Sequence, residues 1–133
     1  LGDWKEETRA DLDDAEARLA SLAGSLSGEP TADQIGSIWR AYVSVEKSVA
    51  FIKVELESES PGVFVNKKVY RVPDERQAVV FALASLRRGA ESFAAGDFET
   101  SLKQLRESRN YLRVLLIDKS RGGPGRRKAP GAR

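Results

Sequence analysis

The sequence predicts an all-α fold: an antiparallel four-helix bundle with a short β-hairpin or extended arm between helices 2 and 3 and a disordered basic C-terminal tail. Three observations predict it. Apolar residues recur at spacings of three and four through four separate segments, the period of a helix with one buried face. Asp or Thr residues stand where each segment opens, and Gly or Pro residues punctuate the ends of the first three. One stretch, residues 63–72, breaks the period with β-branched and aromatic residues.

The first helix is expected from Asp3 to Ala23, with Asp3 as N-cap and Glu6 completing a capping box. Trp4, Leu12, Ala15, Leu19 and Leu22 form its apolar stripe, and Gly24 is its expected stop. Thr31 and Gln34 make a second capping box and open the strongest helix. There Ile35, Ile38, Tyr42, Val45, Val49, Ile52 and Leu56 hold the period, and Trp39, Val43 and Ala50 widen the stripe. A widened stripe suits a helix that packs against more than one neighbour. Pro61-Gly62 ends it. The Val63–Val72 stretch around Asn66-Lys67 is the expected hairpin or arm.

Asp74 with Gln77 opens the third helix, whose stripe is Val79, Leu83, Leu86, Ala90 and Phe93, and Gly96 closes it. Asp97 caps the fourth helix, with Phe98, Leu102, Leu105, Leu112 and Leu116 facing inward. The tight Ala94–Glu99 turn makes these two helices an antiparallel hairpin. Residues 1–119 are thus expected as one bundle domain. Residues 120–133 carry five basic side chains, no acid and no large apolar group, so they are expected to stay disordered.

This hairpin, with Gly96-Asp97-Phe98 at its turn, resembles a single tetratricopeptide-type unit, whose turns read Gly-Asp-Tyr. It also resembles the first hairpin of HEPN-type nucleotide-binding bundles. The likeness covers a third of the chain. The sequence holds no second copy of the repeat, and without His it cannot carry the Arg-to-His motif of catalytic HEPN proteins. Gly closing one helix and Asp capping the next is ordinary helix punctuation, so a generic helical hairpin is the preferred reading.

Absent residue types exclude several chemistries. With no Cys there are neither disulfides nor thiolate metal sites. With no His, the commonest general base and metal ligand is missing too. The acidic runs Asp11, Asp13, Asp14, Glu16 and Glu55, Glu57, Glu59 lack the spacing of a Ca²⁺ loop and read as solvated helix face. No enzyme, metal or cofactor is expected. No apolar run approaches the roughly 20 residues of a membrane span, and the acidic N-terminus shows no signal peptide, so the expected location is cytoplasmic. Arg outnumbers Lys 14 to 8, a bias that both a thermophilic source and a GC-rich genome produce.

Charge is the functional lead. Residues 1–60 hold 6 basic and 13 acidic side chains, whereas residues 61–133 hold 16 basic and 7 acidic. Such asymmetry points either to attraction between the two halves or to an anionic partner for the basic half. The candidate nucleic-acid-binding residues are Lys67, Lys68 and Arg71 on the hairpin, Arg87 and Arg88 on the third helix, and Lys103, Arg106 and Arg113 on the fourth, beside Asn110. The tail adds Arg121, Arg126, Arg127 and Lys128. Tyr70 and Tyr111 offer stacking faces.

Glu46 and Arg109 fall inside apolar stripes, where an unpaired charge is costly, so they are a candidate structural ion pair. The expected function is a non-enzymatic binding or assembly module that contacts RNA, DNA or a ribonucleoprotein through its basic half. The alternative is a protein–protein adaptor or homodimeric scaffold that uses the surplus apolar surface at Trp39, Tyr42 and Phe51 and the 63–72 arm.

Overall fold

The computed structural model describes residues 4–59 and 74–121, and the described residues form four helices: α1 (Trp4–Ser25), α2 (Ala32–Glu59), α3 (Glu75–Ala94) and α4 (Phe98–Arg121). The hairpin or arm expected at 63–72 and the tail from residue 122 onward lie outside them. Two helix ends differ from expectation. α1 runs through Gly24 to Ser25, and its next residue, Leu26, is buried and donates its N–H to Leu22 O at 2.7 Å. α4 continues past Lys119 to Arg121.

The caps of α2, α3 and α4 follow the residues that announce them, and the Asp3 cap expected for α1 lies outside the described residues. Thr31 and Gln34 exchange reciprocal bonds of 2.9 and 3.2 Å, which satisfies two N–H groups at the start of α2. Asp74 accepts from Gln77 N at 2.8 Å and Asp97 from Thr100 N at 3.2 Å. Gly96 adopts φ +83°, which lets Gly96 N reach Phe93 O and Asp97 N reach Ser92 O, a Schellman closure.

α1 packs on α2 and α3, and α4 packs on the same two, so α1–α4 and α2–α3 are the diagonals. Every neighbouring pair is antiparallel. Trp4 at the start of α1 meets Phe51 late in α2, Phe93 near the end of α3 and Phe98 at the start of α4. At the opposite end, Arg76 early in α3 donates to Ala23 O near the end of α1 at 2.9 Å. The end of α2 and the start of α3 therefore lie at opposite ends of the bundle, a topology with one crossover.

The core is built from the predicted stripes together with small residues between them. Leu12, Ala15 and Leu19 of α1, Ile38, Val45 and Ile52 of α2, Val79 and Leu86 of α3, and Leu102, Leu105 and Leu112 of α4 are all buried. Between α3 and α4 the backbones come close because Ala82, Ser85 and Gly89 face Ser101, Leu105 and Ser108. Ser101 Oγ donates to Gly89 O and Ser108 Oγ to Ala82 O, each at 2.7 Å. α2 does pack against two neighbours, but Trp39, Val43 and Ala50 take no part in it. They turn outward with Val54 on the face away from the core. Phe51 is half-buried against Trp4. Among the described residues no helix is long and apolar enough to cross a membrane.

Candidate functional site

The basic residues singled out in the sequence separate into different grooves. Arg87 and Arg88 are adjacent in the chain, so their side chains point about 100° apart around α3. Arg87 reaches α1, where its Nε lies 2.9 Å from Glu16 Oε2. Arg88 turns to α4 and donates to Gln104 Oε1 at 3.1 Å and to Ser85 Oγ at 3.3 Å. Lys103, Arg106 and Arg113 instead lie away from that α3 side, Arg113 towards α2 and Lys103 on the outward face of α4. Lys103 and Arg113 are exposed and make no ion pair among the described residues, and Arg106 is half-buried. Arg121 closes α4. Lys67, Lys68, Arg71, Arg126, Arg127 and Lys128 lie outside the described residues.

Glu46 and Arg109 meet in the α2–α4 groove. Arg109 Nη1 stands 3.3 Å from Glu46 Oε1, with the arginine 16% and the glutamate 38% exposed. The second carboxylate oxygen of Glu46 accepts the Tyr42 hydroxyl at 2.7 Å. Arg109 also donates from Nε and Nη2 to Asn110 Oδ1, both at 3.3 Å. Partial burial holds the Tyr42 phenol above its ordinary range, and its bond to the Glu46 carboxylate adds to this. Arg113 and Arg109 pull it the other way. Arg113 thus sits close enough to Tyr42 to act on it.

Next to Tyr42 on α2 stands Trp39, 42% exposed, the two rings edge-on at 5.7 Å and 90°. On its far side Trp39 walls a shallow cleft of about 340 Å³ between α1 and α2, shared with Asp14, Arg18, Arg40, Val43 and Ser44. Arg18 is held by Asp14 at 2.9 Å, whereas Arg40 makes no ion pair among the described residues. A second cleft, of about 400 Å³, lies where α1 ends beside the start of α3, between Gly24–Gly28 and Asp74–Arg76. Its glycine- and serine-rich lining offers no aromatic ring.

The acidic run of α1 disperses among separate cations. Asp11 faces Lys47, Asp14 faces Arg18 and Glu16 faces Arg87. Among the described residues no three carboxylates gather where they could hold a metal ion. Tyr111, read from sequence as a stacking face, is half-buried with its ring 5.4 Å from Phe81. Trp39, which the sequence placed both in the widened stripe of the second helix and among its surplus apolar surface, is exposed next to Tyr42. Its signal was present: Trp39 lies about 100° round the helix from Ile38, off the Ile38–Val45–Ile52 line. No family model matches this chain, and no curated protein or solved structure matches it.

Proposed function

We propose that this protein is a non-enzymatic nucleic-acid-binding module, whose contact surface is the solvent-facing side of α4 that carries Lys103 and Arg113. The observation that carries the reading is the contrast among its cations. Arg18, Lys47, Arg87 and Arg109 are each committed to a carboxylate. Lys103 and Arg113, in contrast, stand exposed on α4 and, like Arg40 on the α1 side of α2, make no ion pair among the described residues. Cations free of internal partners are the ones available to neutralise phosphates, and each such contact releases counterions. Asn110 on the same helix adds a polar contact.

The test is binding of a mixed pool of RNA and DNA at two salt concentrations. It compares the full chain, a chain ending at Lys119, and the full chain carrying Lys103→Gln and Arg113→Gln. Affinity should fall steeply with salt, and the double substitution should flatten the salt dependence by about two phosphate contacts. Loss on truncation would assign part of the contact to the tail. Absence of binding by the full chain at low salt would remove the reading.

A second reading rests on the outward face of α2, where Trp39, Val43 and Val54 are 42%, 56% and 66% exposed. Large side chains lined along one helix face suit a protein partner or a second copy of the chain. Association of this kind is largely insensitive to salt. Sedimentation across a concentration series distinguishes it, since a homodimer through this face dissociates on Val43→Glu.

A further inference from the structure

We propose that the α1–α2 cleft walled by Trp39 is a subsite for one unpaired base, which makes the preferred partner a single strand rather than a duplex. This inference rests on the nucleic-acid reading above and adds to it a strand type and a place for a base.

Trp39 leaves much of a large ring surface in water at 42% exposure, although the same helix buries smaller apolar residues completely. Its edge-on contact with Tyr42 supports it from one side, and the cleft opens on the other. Trp39 therefore leaves ring surface beside the cleft on which a base can stack. At about 340 Å³ the cleft lies at the small end of ligand sites. That suits a single base and its sugar better than a folded peptide segment. Its lining combines the apolar side chain of Val43 with the residues Ser44, Asp14, Arg18 and Arg40. Donors and acceptors thus stand together round an aromatic wall, as the mixed edge of a base requires.

Charge decides where the backbone runs. On the cleft side, the carboxylates of Glu7, Asp11 and Asp14 accompany the cations Lys47, Arg18 and Arg40, an even balance that gives phosphates little attraction. On the other side of α2, Arg113 is near enough to Tyr42 to act on its phenol, Lys103 lies on the outward face of α4, and the Glu46 carboxylate in the α2–α4 groove is held by Arg109. Phosphates held on α4 and a base swung over Tyr42 and Trp39 into the cleft satisfy both halves of this arrangement. A duplex keeps its bases paired and stacked, so it cannot offer a base face to Trp39 without unpairing.

The experiment uses the full chain and labelled oligonucleotides of one mixed sequence, as single-stranded RNA, single-stranded DNA and duplex, read by fluorescence anisotropy at low salt. Single strands should bind more tightly than the duplex. Trp39→Ala should weaken single-strand binding about ten-fold and leave duplex binding unchanged, while Trp39→Phe retains most of the affinity. In a Trp4→Phe background Trp39 is the sole tryptophan, and its emission should be quenched by the single strand. If Trp39→Ala, shown by circular dichroism to be folded, binds single strands as the parent does, the subsite is wrong while phosphate binding stands. Equal or tighter binding of the duplex would likewise overturn the subsite alone. No binding of any strand by the parent chain overturns both.

Discussion

Arg109 reaches across the α2–α4 groove to Glu46, with 3.3 Å between Nη1 and Oε1. The two residues are 63 positions apart, so their contact ties the first half of the chain to the second. Glu46 is more than a third exposed and keeps a second partner in Tyr42. Solvent therefore screens the pair, and its net contribution is that of a favourable surface bridge rather than a buried one. A double-mutant cycle with Glu46→Gln and Arg109→Met, read by urea denaturation, should return a coupling of about 0.5–1 kcal/mol. A coupling indistinguishable from zero would mean that the contact does not tie the two helices together.

Gly36 and Gly89 both lie within helices yet should respond oppositely to alanine. A Cβ on Gly89 would stand 2.6 Å from Leu105 Cδ2 and 2.8 Å from its Cγ, with the Leu105 backbone N at 3.3 Å. Leu105 is buried and has no free direction to move, so overpacking outweighs the helix-propensity gain. Gly89→Ala should destabilise by about 1–2 kcal/mol. A Cβ on Gly36 meets nothing within 4 Å. Gly36→Ala should stabilise by about 0.5–1 kcal/mol, since alanine restricts the unfolded chain and favours the helix. Thermal midpoints that shift in the same direction for both would contradict the close α3–α4 approach.

The same seam marks where sequence reading reaches its limit. Leucines and valines at helical spacing announce a core because burial drives them there, and Leu19, Val45, Leu86 and Leu105 are where their period puts them. Ser101, Ser108 and Gly89 carry no such signal. They lie inside because two backbones approach, and that approach depends on which helices are neighbours. No single segment encodes that α2 and α3 lie across the diagonal. The candidate site was legible in part for the same reason. The α4 flank of Lys103, Arg106 and Arg113 follows from helical spacing alone. That Arg87 and Arg88 point elsewhere depends on how α4 packs between α2 and α3.

Tyr42 gives an alkaline prediction. Its phenol is held above the ordinary 10.0 by burial and by the Glu46 carboxylate. A raised value in the fold means that its contribution to stability is complete below pH 10.0 and is lost as the pH climbs through the folded value. Tyrosinate absorbance should therefore show a phenol that ionises late, and Tyr42→Phe should remove that step. Arg113 opposes the shift, so Arg113→Gln should move the step further up. A titration unchanged by Arg113→Gln would separate Arg113 from Tyr42 and break the path from the α4 flank to Trp39.

Lys47 and Glu7 give the acid counterpart on the α1–α2 side. Lys47 Nζ stands 2.8 Å from Glu7 Oε2, and this bond and charge hold the Glu7 carboxyl below its ordinary 4.5. For a lowered carboxyl the sign reverses: its stabilising contribution is present above pH 4.5 and disappears as the pH falls through the folded value. Wild type should be the more stable form at neutral pH when compared with Lys47→Met, and the gap should close below pH 4.5. Both groups are exposed, so roughly 1 M salt, with a Debye length of about 3 Å, should also narrow it at neutral pH. A gap that survives both acid and salt would show that Lys47 supports α2 through packing of its aliphatic stem rather than through its charge.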